Sequence, residues 1–217
     1  MLKLNAQLAK DADNINAGIK ETGKYIGTIT RAEKLVSKDK GTVGLGLSIK
    51  TDDGLSADYL DIWHTRGDGS ELSGLKTVNA ILCCTKTLEA QEGPINVERW
   101  DNTTGKREKT STSGYPGLMG KRIGLLLQKQ LETNKRTGKE VERVVIFAVF
   151  NAETDLTASE MYAKKTNPER LSQMLTTLMA RPVKDNRKKP SGSAATAHDD
   201  GGFGHADQEI PDDDIPF

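Results

Sequence analysis

Cysteine is nearly missing from the 217-residue chain: Cys83 and Cys84 are the only two. Adjacent thiols make a strained mutual disulfide, and two are too few for a staple framework or a zinc knuckle. Reduced, cytoplasmic conditions fit that usage. No stretch approaches the roughly 18–20 consecutive apolar residues of a membrane span, and the N-terminus lacks the basic-then-apolar pattern of a secretory signal. The expectation is a soluble protein of the cell interior with no membrane partner. Aromatic residues are scarce at 5%, and hydrophobic residues reach only 35%. That composition suits one modest domain plus a solvated segment and excludes a large multidomain enzyme.

Catalytic constellations are missing too. His64, His198 and His205 are the only histidines, and the last two fall in a linker, where no scaffold positions them as base or ligand. Gly120-Lys121 has the look of a phosphate loop, but Tyr115 stands where its first glycine belongs and Arg122 where a Ser or Thr would hold magnesium. Gly44-Leu45-Gly46 has no third glycine at dinucleotide spacing, so these glycines read as strand packing or bulge positions. Asp58, Asp61 and His64 are metal-ligand types, but strand alternation puts Asp61 on the face opposite Asp58 and His64. The expectation is a protein with no enzymatic activity, metal or cofactor.

Charge is present in quantity and unevenly placed. Lys and Arg total 31 against 31 Asp and Glu, yet residues 198–217 hold seven of the acids and no base, which leaves 31 basic against 24 acidic groups in residues 1–197. A cationic body attracts polyanions, and an anionic tail can repel or imitate them. Between Arg181 and Ala206 the composition turns to Pro, Gly, Ser, Ala and charge, with too little apolar content to offset the entropy of ordering. A flexible coil of that length spans about 25–30 Å. The expected organisation is a domain over 1–180, a flexible linker over 181–206 and an acidic tip over 207–217.

Within the body, Lys24–Val36 and Val43–Thr51 read as strands, the second with Leu45, Leu47 and Ile49 at period two. Leu55–His64 follows through an Asp53-Gly54 turn. Leu72, Leu75, Val78 and Leu82 then recur at helical spacing over Ser70–Thr85. A strand candidate at Ile95–Trp100 leads into a polar, hairpin-like stretch over Asp101–Ser113. Two further strands cover Gly120–Leu131 and Val141–Asn151, the latter apolar enough to be buried on both faces. Asn167 is a candidate N-cap, with Pro168 at the first helical position, for a helix carrying Leu171, Met174, Leu175, Leu178 and Met179. The fold class expected is mainly β: an oligonucleotide-binding (OB) type Greek-key barrel with a helix after strand three, an extra hairpin and a C-terminal helix.

Such a sheet can offer a face for bases. Leu60 and Ile62 suit the core, which turns Tyr59, Asp61 and Trp63 outward, and an aromatic pair two residues apart can stack on successive bases. Ile95 and Val97 likewise oppose Asn96, Glu98 and Trp100. Arg66, Lys106, Arg107, Lys109, Lys121 and Arg122 are interleaved with these aromatics and with Tyr115. Phosphates supply sequence-independent attraction to such cations while exposed bases supply stacking. A Thr-, Ser- and Gly-rich hairpin there could be a flap that closes over a strand.

The chain ends Asp212-Asp213-Asp214-Ile215-Pro216-Phe217. This tip resembles the C-terminus of bacterial single-stranded DNA-binding proteins, where the same acidic run and terminal Ile-Pro-Phe follow a Gly/Pro-rich linker. The body is longer than the bacterial core domain and looks more like the divergent single-strand-binding proteins of bacteriophages. The resemblance implies a protein that coats single-stranded DNA with little sequence preference during replication, recombination or repair. It implies partners among host or phage maintenance proteins, a cytoplasmic location in a bacterial cell and possible homo-oligomers. Phe217 presents a ring and a free carboxylate together, suited to a pocket with an apolar floor and a cationic mouth. Ile215 and Pro216 lower the ordering cost, while the three aspartates make binding salt-sensitive. A strand-annealing recombination protein and a tail-bearing adaptor that never touches DNA are the alternative readings.

Overall fold

A computed structural model describes residues 18–101, 106–134 and 137–187, save for the side chains of residues 100, 101, 106 and 107. The acidic tip and the linker from residue 188 onward lie outside the described residues. In chain order the elements are β1 (Gly23–Val36), β2 (Val43–Thr51), β3 (Ser56–Thr65), α1 (Gly74–Cys84), β4 (Gly93–Asp101) and β5 (Lys106–Gly114). They continue with β6 (Arg122–Thr133), β7 (Glu140–Phe150), α2 (Ala158–Tyr162), α3 (Arg170–Ala180) and β8 (Val183–Asp185).

β1 to β3 form an antiparallel meander because short turns join three strands of matching alternation. Gly54 makes the second turn, with a φ of +89° that side chains resist. β1 is the strand both halves of the fold share. It pairs with β2 from Gly27 to Val36, with β6 from Gly23 to Thr28, and with β5 only at Glu33 opposite Gly114. β6 pairs with β7, and α1 packs against both β3 and β7, closing the end where those strands approach without a ladder. The result is a mainly β, OB-like barrel, elaborated by the β4–β5 hairpin and the C-terminal helix as the sequence predicts.

The interior is filled by alternating residues: Ile29 and Ala32 from β1, Leu45, Leu47 and Ile49 from β2, Leu60 and Ile62 from β3, and Ile123, Leu125 and Leu127 from β6. Each buried aliphatic side chain stabilises by about 1.5–3 kcal/mol. A second layer lies outside the barrel, where Leu171 and Leu178 of α3 cover Leu126 and Phe150. Gly124 makes that layer possible, since a Cβ there would sit 2.1 Å from the Phe150 ring.

Several expectations change. The helix after β3 begins at Gly74 rather than Ser70. Leu72 precedes it, its N–H donating to the His64 carbonyl at 2.9 Å, and a Cβ at position 74 would meet the Trp63 carbonyl at 2.1 Å. The buried side of α1 centres on Ile81 and Cys84, with Leu75, Val78 and Leu82 half-buried. Burial pushes the Cys84 thiol up to about 12, so it is inert packing. β7 is sandwiched only in its C-terminal half; a register shift leaves Phe147 exposed, and β6, buried continuously from Ile123 to Leu127, is the more enclosed strand.

At the C-terminus Asn167 does not cap the last helix. The N–H groups of Glu169 and Arg170 both donate to Oε1 of Glu160 at 2.8 Å, and this buried carboxylate satisfies the donors that a cap would serve. The described residues continue past Arg181. Val183–Asp185 adds a strand parallel to β6, and Arg187 pairs with Glu140 at 3.1 Å. A three-residue strand carries too little periodicity to be seen in the sequence.

Candidate nucleic-acid interface

The outer face of β1–β2–β3 is built on small residues. β2 turns Leu45, Leu47 and Ile49 inward, so Gly44, Gly46 and Ser48 face out as a low floor. Larger neighbours lie across that floor. The Trp63 indole covers Gly44, and the Arg31 guanidinium and Leu35 cover Gly46, each within 3.2 Å of where a Cβ would be. In register, Arg31 is opposite Ser48, Glu33 opposite Gly46, and Gly46 opposite Asp61.

Two bulges shape the middle of this face. One extra residue, Thr30, separates Ile29 from Arg31 against β2, and Asp58 and Tyr59 together oppose Ser48. The second bulge corrects strict alternation. Ala57 and Leu60 both stay inside, so Asp58, expected beside Leu60 on the core face, is exposed along with Tyr59. Tyr59 takes a left-handed φ of +59°, uncommon for an aromatic residue, and its side chain is 67% exposed. Strained backbone of this kind persists where surrounding structure fixes it. Here it lifts a ring away from the sheet.

Arg31 meets that ring, with its guanidinium carbon 5.3 Å from the ring centroid. Its orientation is set by Glu33, only 3% exposed, which accepts from Arg31 Nε at 2.8 Å and pairs with Nη2 at 2.7 Å. The same carboxylate accepts from Arg99 of β4 and from Thr112 Oγ1 of β5 at 3.3 Å. Glu33 thus ties the sheet to the hairpin. Arg31 Nη1 is buried and has no hydrogen-bond partner.

The hairpin roofs the face and leaves a cleft beneath it. One cavity of about 410 Å³ is lined by Thr30, Asn96 and Lys109, and a second of about 370 Å³ by Leu35, Tyr59 and Arg99. Both share Arg31, Ser48, Asp58, Val97 and Glu98, so they form one continuous groove. Its electrostatics are mixed: Arg31, Arg99 and Lys109 stand with Asp58 and Glu98, over the buried Glu33. Beside it, desolvation raises the Asp61 carboxyl, against the opposing pull of Arg31 and Arg143. Burial lowers His64.

Of the residues singled out in the sequence, Tyr59 and Lys109 line this groove. Trp63 lies on the same outer face, half-buried over Gly44. Arg66 follows β3, its N–H donating to the Ser70 carbonyl at 2.8 Å in a turn. Trp100 pairs in register with Arg107, next to Asp101 with Lys106, at the far end of the hairpin, and their side chains lie outside the described residues. Tyr115 packs against the barrel core, with its hydroxyl raised by burial. Arg122 is held by Asp52 through two hydrogen bonds of 2.8 Å, and with Lys121 it borders a separate cavity beside Lys86 and Glu153. Asp212, Asp213, Asp214, Ile215, Pro216 and Phe217 lie outside the described residues.

Sequence reasoning passed over Arg31, Glu33 and Arg99, and weighed Asp58 only as a metal ligand. The outward Gly44, Gly46 and Ser48 were the signal available, since three small residues on one strand face leave room for neighbours to lie across it. Among the described residues, no cluster of three or more His, Cys, Asp or Glu side chains could hold a metal ion, and no helix is long and apolar enough to cross a membrane. No protein-family model matches the chain, and no curated protein matches it.

Proposed function

We propose that the protein binds single-stranded DNA with its OB-like barrel, without catalysing a reaction, and recruits replication, recombination or repair proteins through its DDDIPF tip. The observation that carries the DNA reading is Tyr59, an exposed ring in left-handed backbone, backed by Arg31 in a groove under the hairpin. OB-type barrels bind oligonucleotides on this region of the sheet. Mixed charge in the groove makes stacking and base contacts a larger share of affinity, with cations outside it, such as Lys50 exposed on β2, meeting phosphates. The recruitment reading rests on the tip's resemblance alone, as does a setting in the cytoplasm of a bacterial host.

Titration of the full chain with an unstructured oligothymidine, followed by intrinsic fluorescence across a salt series, tests the DNA reading. Quenching that saturates and weakens with salt is expected. Absence of binding at low salt would leave only a tail-bearing adaptor.

A further inference from the structure

We propose that the groove reads base edges and prefers guanine within a single strand, an inference that rests on the DNA-binding reading above and gives it a sequence preference. The starting point is a donor without an acceptor. Arg31 Nε and Nη2 are committed to Glu33, while Nη1 is buried and unpartnered on a residue that lines both cavities. A buried guanidinium N–H left unpaired is costly, so the site gains when a ligand oxygen or nitrogen accepts from it.

The second point is what stands opposite. Asp58 is set into the same shared lining by the β3 bulge and takes no ion pair among the described residues. A carboxylate in a groove repels phosphate, but it accepts hydrogen bonds from base N–H groups. The groove floor therefore suits the base side of a strand, with the phosphates turned out to solvent.

The four bases differ in what they offer this pair. Thymine shows two acceptors around one N–H, adenine and cytosine each show one amino group beside acceptors, and guanine alone shows two adjacent donors, N1–H and N2–H, next to the O6 acceptor. Asp58 accepts from N1–H and N2–H while Arg31 Nη1 donates to O6. The Tyr59 ring, on the same stretch of groove, covers the base face.

The test compares binding of the full chain to a dT oligomer with binding to the same oligomer carrying one central dG, at fixed salt. A single dG is expected to tighten binding about tenfold, the scale of one good bidentate base contact. Replacing dG by deoxyinosine, which lacks the N2 amino group, is expected to remove most of that gain. Asp58→Asn is expected to bring the ratio of dG-oligomer to dT-oligomer affinity to within about twofold, whatever its effect on either affinity alone. Equal wild-type affinity for the dT and dG oligomers would overturn the guanine preference and leave the DNA-binding reading standing. Failure to bind either oligomer would overturn both. Competition by free dGMP as strong as by the dG oligomer would reassign the slot to a mononucleotide and likewise overturn the strand-reading proposal.

Discussion

Arg31 lies with its guanidinium carbon 5.3 Å from the centroid of the Tyr59 ring, across two bulges that sit at the same height on β1 and β3. Neither residue would reach the other in a regular sheet of that register. The bulge in β1 turns Arg31 outward over Gly46, and the bulge in β3 gives Tyr59 its left-handed backbone. A cation supports the ring while the residue stays 67% exposed, an arrangement suited to a stacked base.

Tyr59→Gly separates the ring from the fold. Glycine accepts the φ of +59° without strain, so the thermal midpoint is expected to hold or rise slightly. Oligothymidine affinity is expected to fall by about 5- to 100-fold, the value of one stacked base. Unchanged affinity in a folded variant would remove Tyr59 from the interface.

Glu33→Gln tests the tie between sheet and hairpin. The substitution leaves Arg31 and Arg99 beside a neutral amide in a site that is almost wholly enclosed. Losing one partner of a buried ion pair costs about 3–5 kcal/mol, here less because Arg99 is half exposed. The expected result is a lower urea midpoint with faster hydrogen exchange at β4 and β5 amides. Exchange unchanged in the hairpin would show that its position depends on other contacts.

Glu160 makes acid stability informative. Burial alone would raise its carboxyl, but hydrogen bonds from the N–H groups of Arg170, Thr157 and Glu169 and from the Thr157 hydroxyl hold it at about 2, below an ordinary 4.5. A depressed folded value means the stabilisation is complete above pH 4.5 and disappears as pH falls toward 2. Glu160→Gln is expected to lose roughly 2–3 kcal/mol at pH 7, from hydrogen bonds to a charged acceptor. The gap between variant and wild type should narrow steadily below pH 4.5 in denaturant melts. A gap independent of pH would show that the charge contributes nothing.

The strand pattern was legible because it depends on local alternation. Val43–Thr51 emerges with its predicted bounds, and Leu60 and Ile62 sit in the core as their spacing requires. The groove was only half legible. Alternation put Tyr59 outside but assigned Asp58 to the core, since a bulge is fixed by the partner strand and leaves no periodic trace of its own. Arg31 and Glu33 are two residues apart in an unremarkable charged stretch, and their importance arises from Arg99, 66 residues further on. The cap on α3 escaped for the same reason, because Glu160 reaches it from the preceding helix while Asn167 and Pro168 supplied a plausible local signal.

The position of β8 yields a prediction about where the domain ends. Val183, Lys184 and Asp185 align with Lys129, Gln130 and Leu131 of β6, and the Asn186 N–H donates to the Leu131 carbonyl at 2.8 Å. Thr22 anchors the approach, donating to the Pro182 carbonyl and accepting from the Lys129 N–H at 2.8 Å. A chain ending at Arg181 loses the β8 pairing and the Asn186 and Pro182 bonds and bares one edge of β6, where unpaired backbone groups invite pairing with other chains. A chain ending at Arg187 keeps them all. The shorter chain is therefore expected to unfold at lower urea, by about 1–3 kcal/mol from net hydrogen bonding, and to show more concentration-dependent light scattering. Equal midpoints for the two would place the end of the cooperative unit at Arg181, where composition alone had put it, and would reduce β8 to an accessory contact.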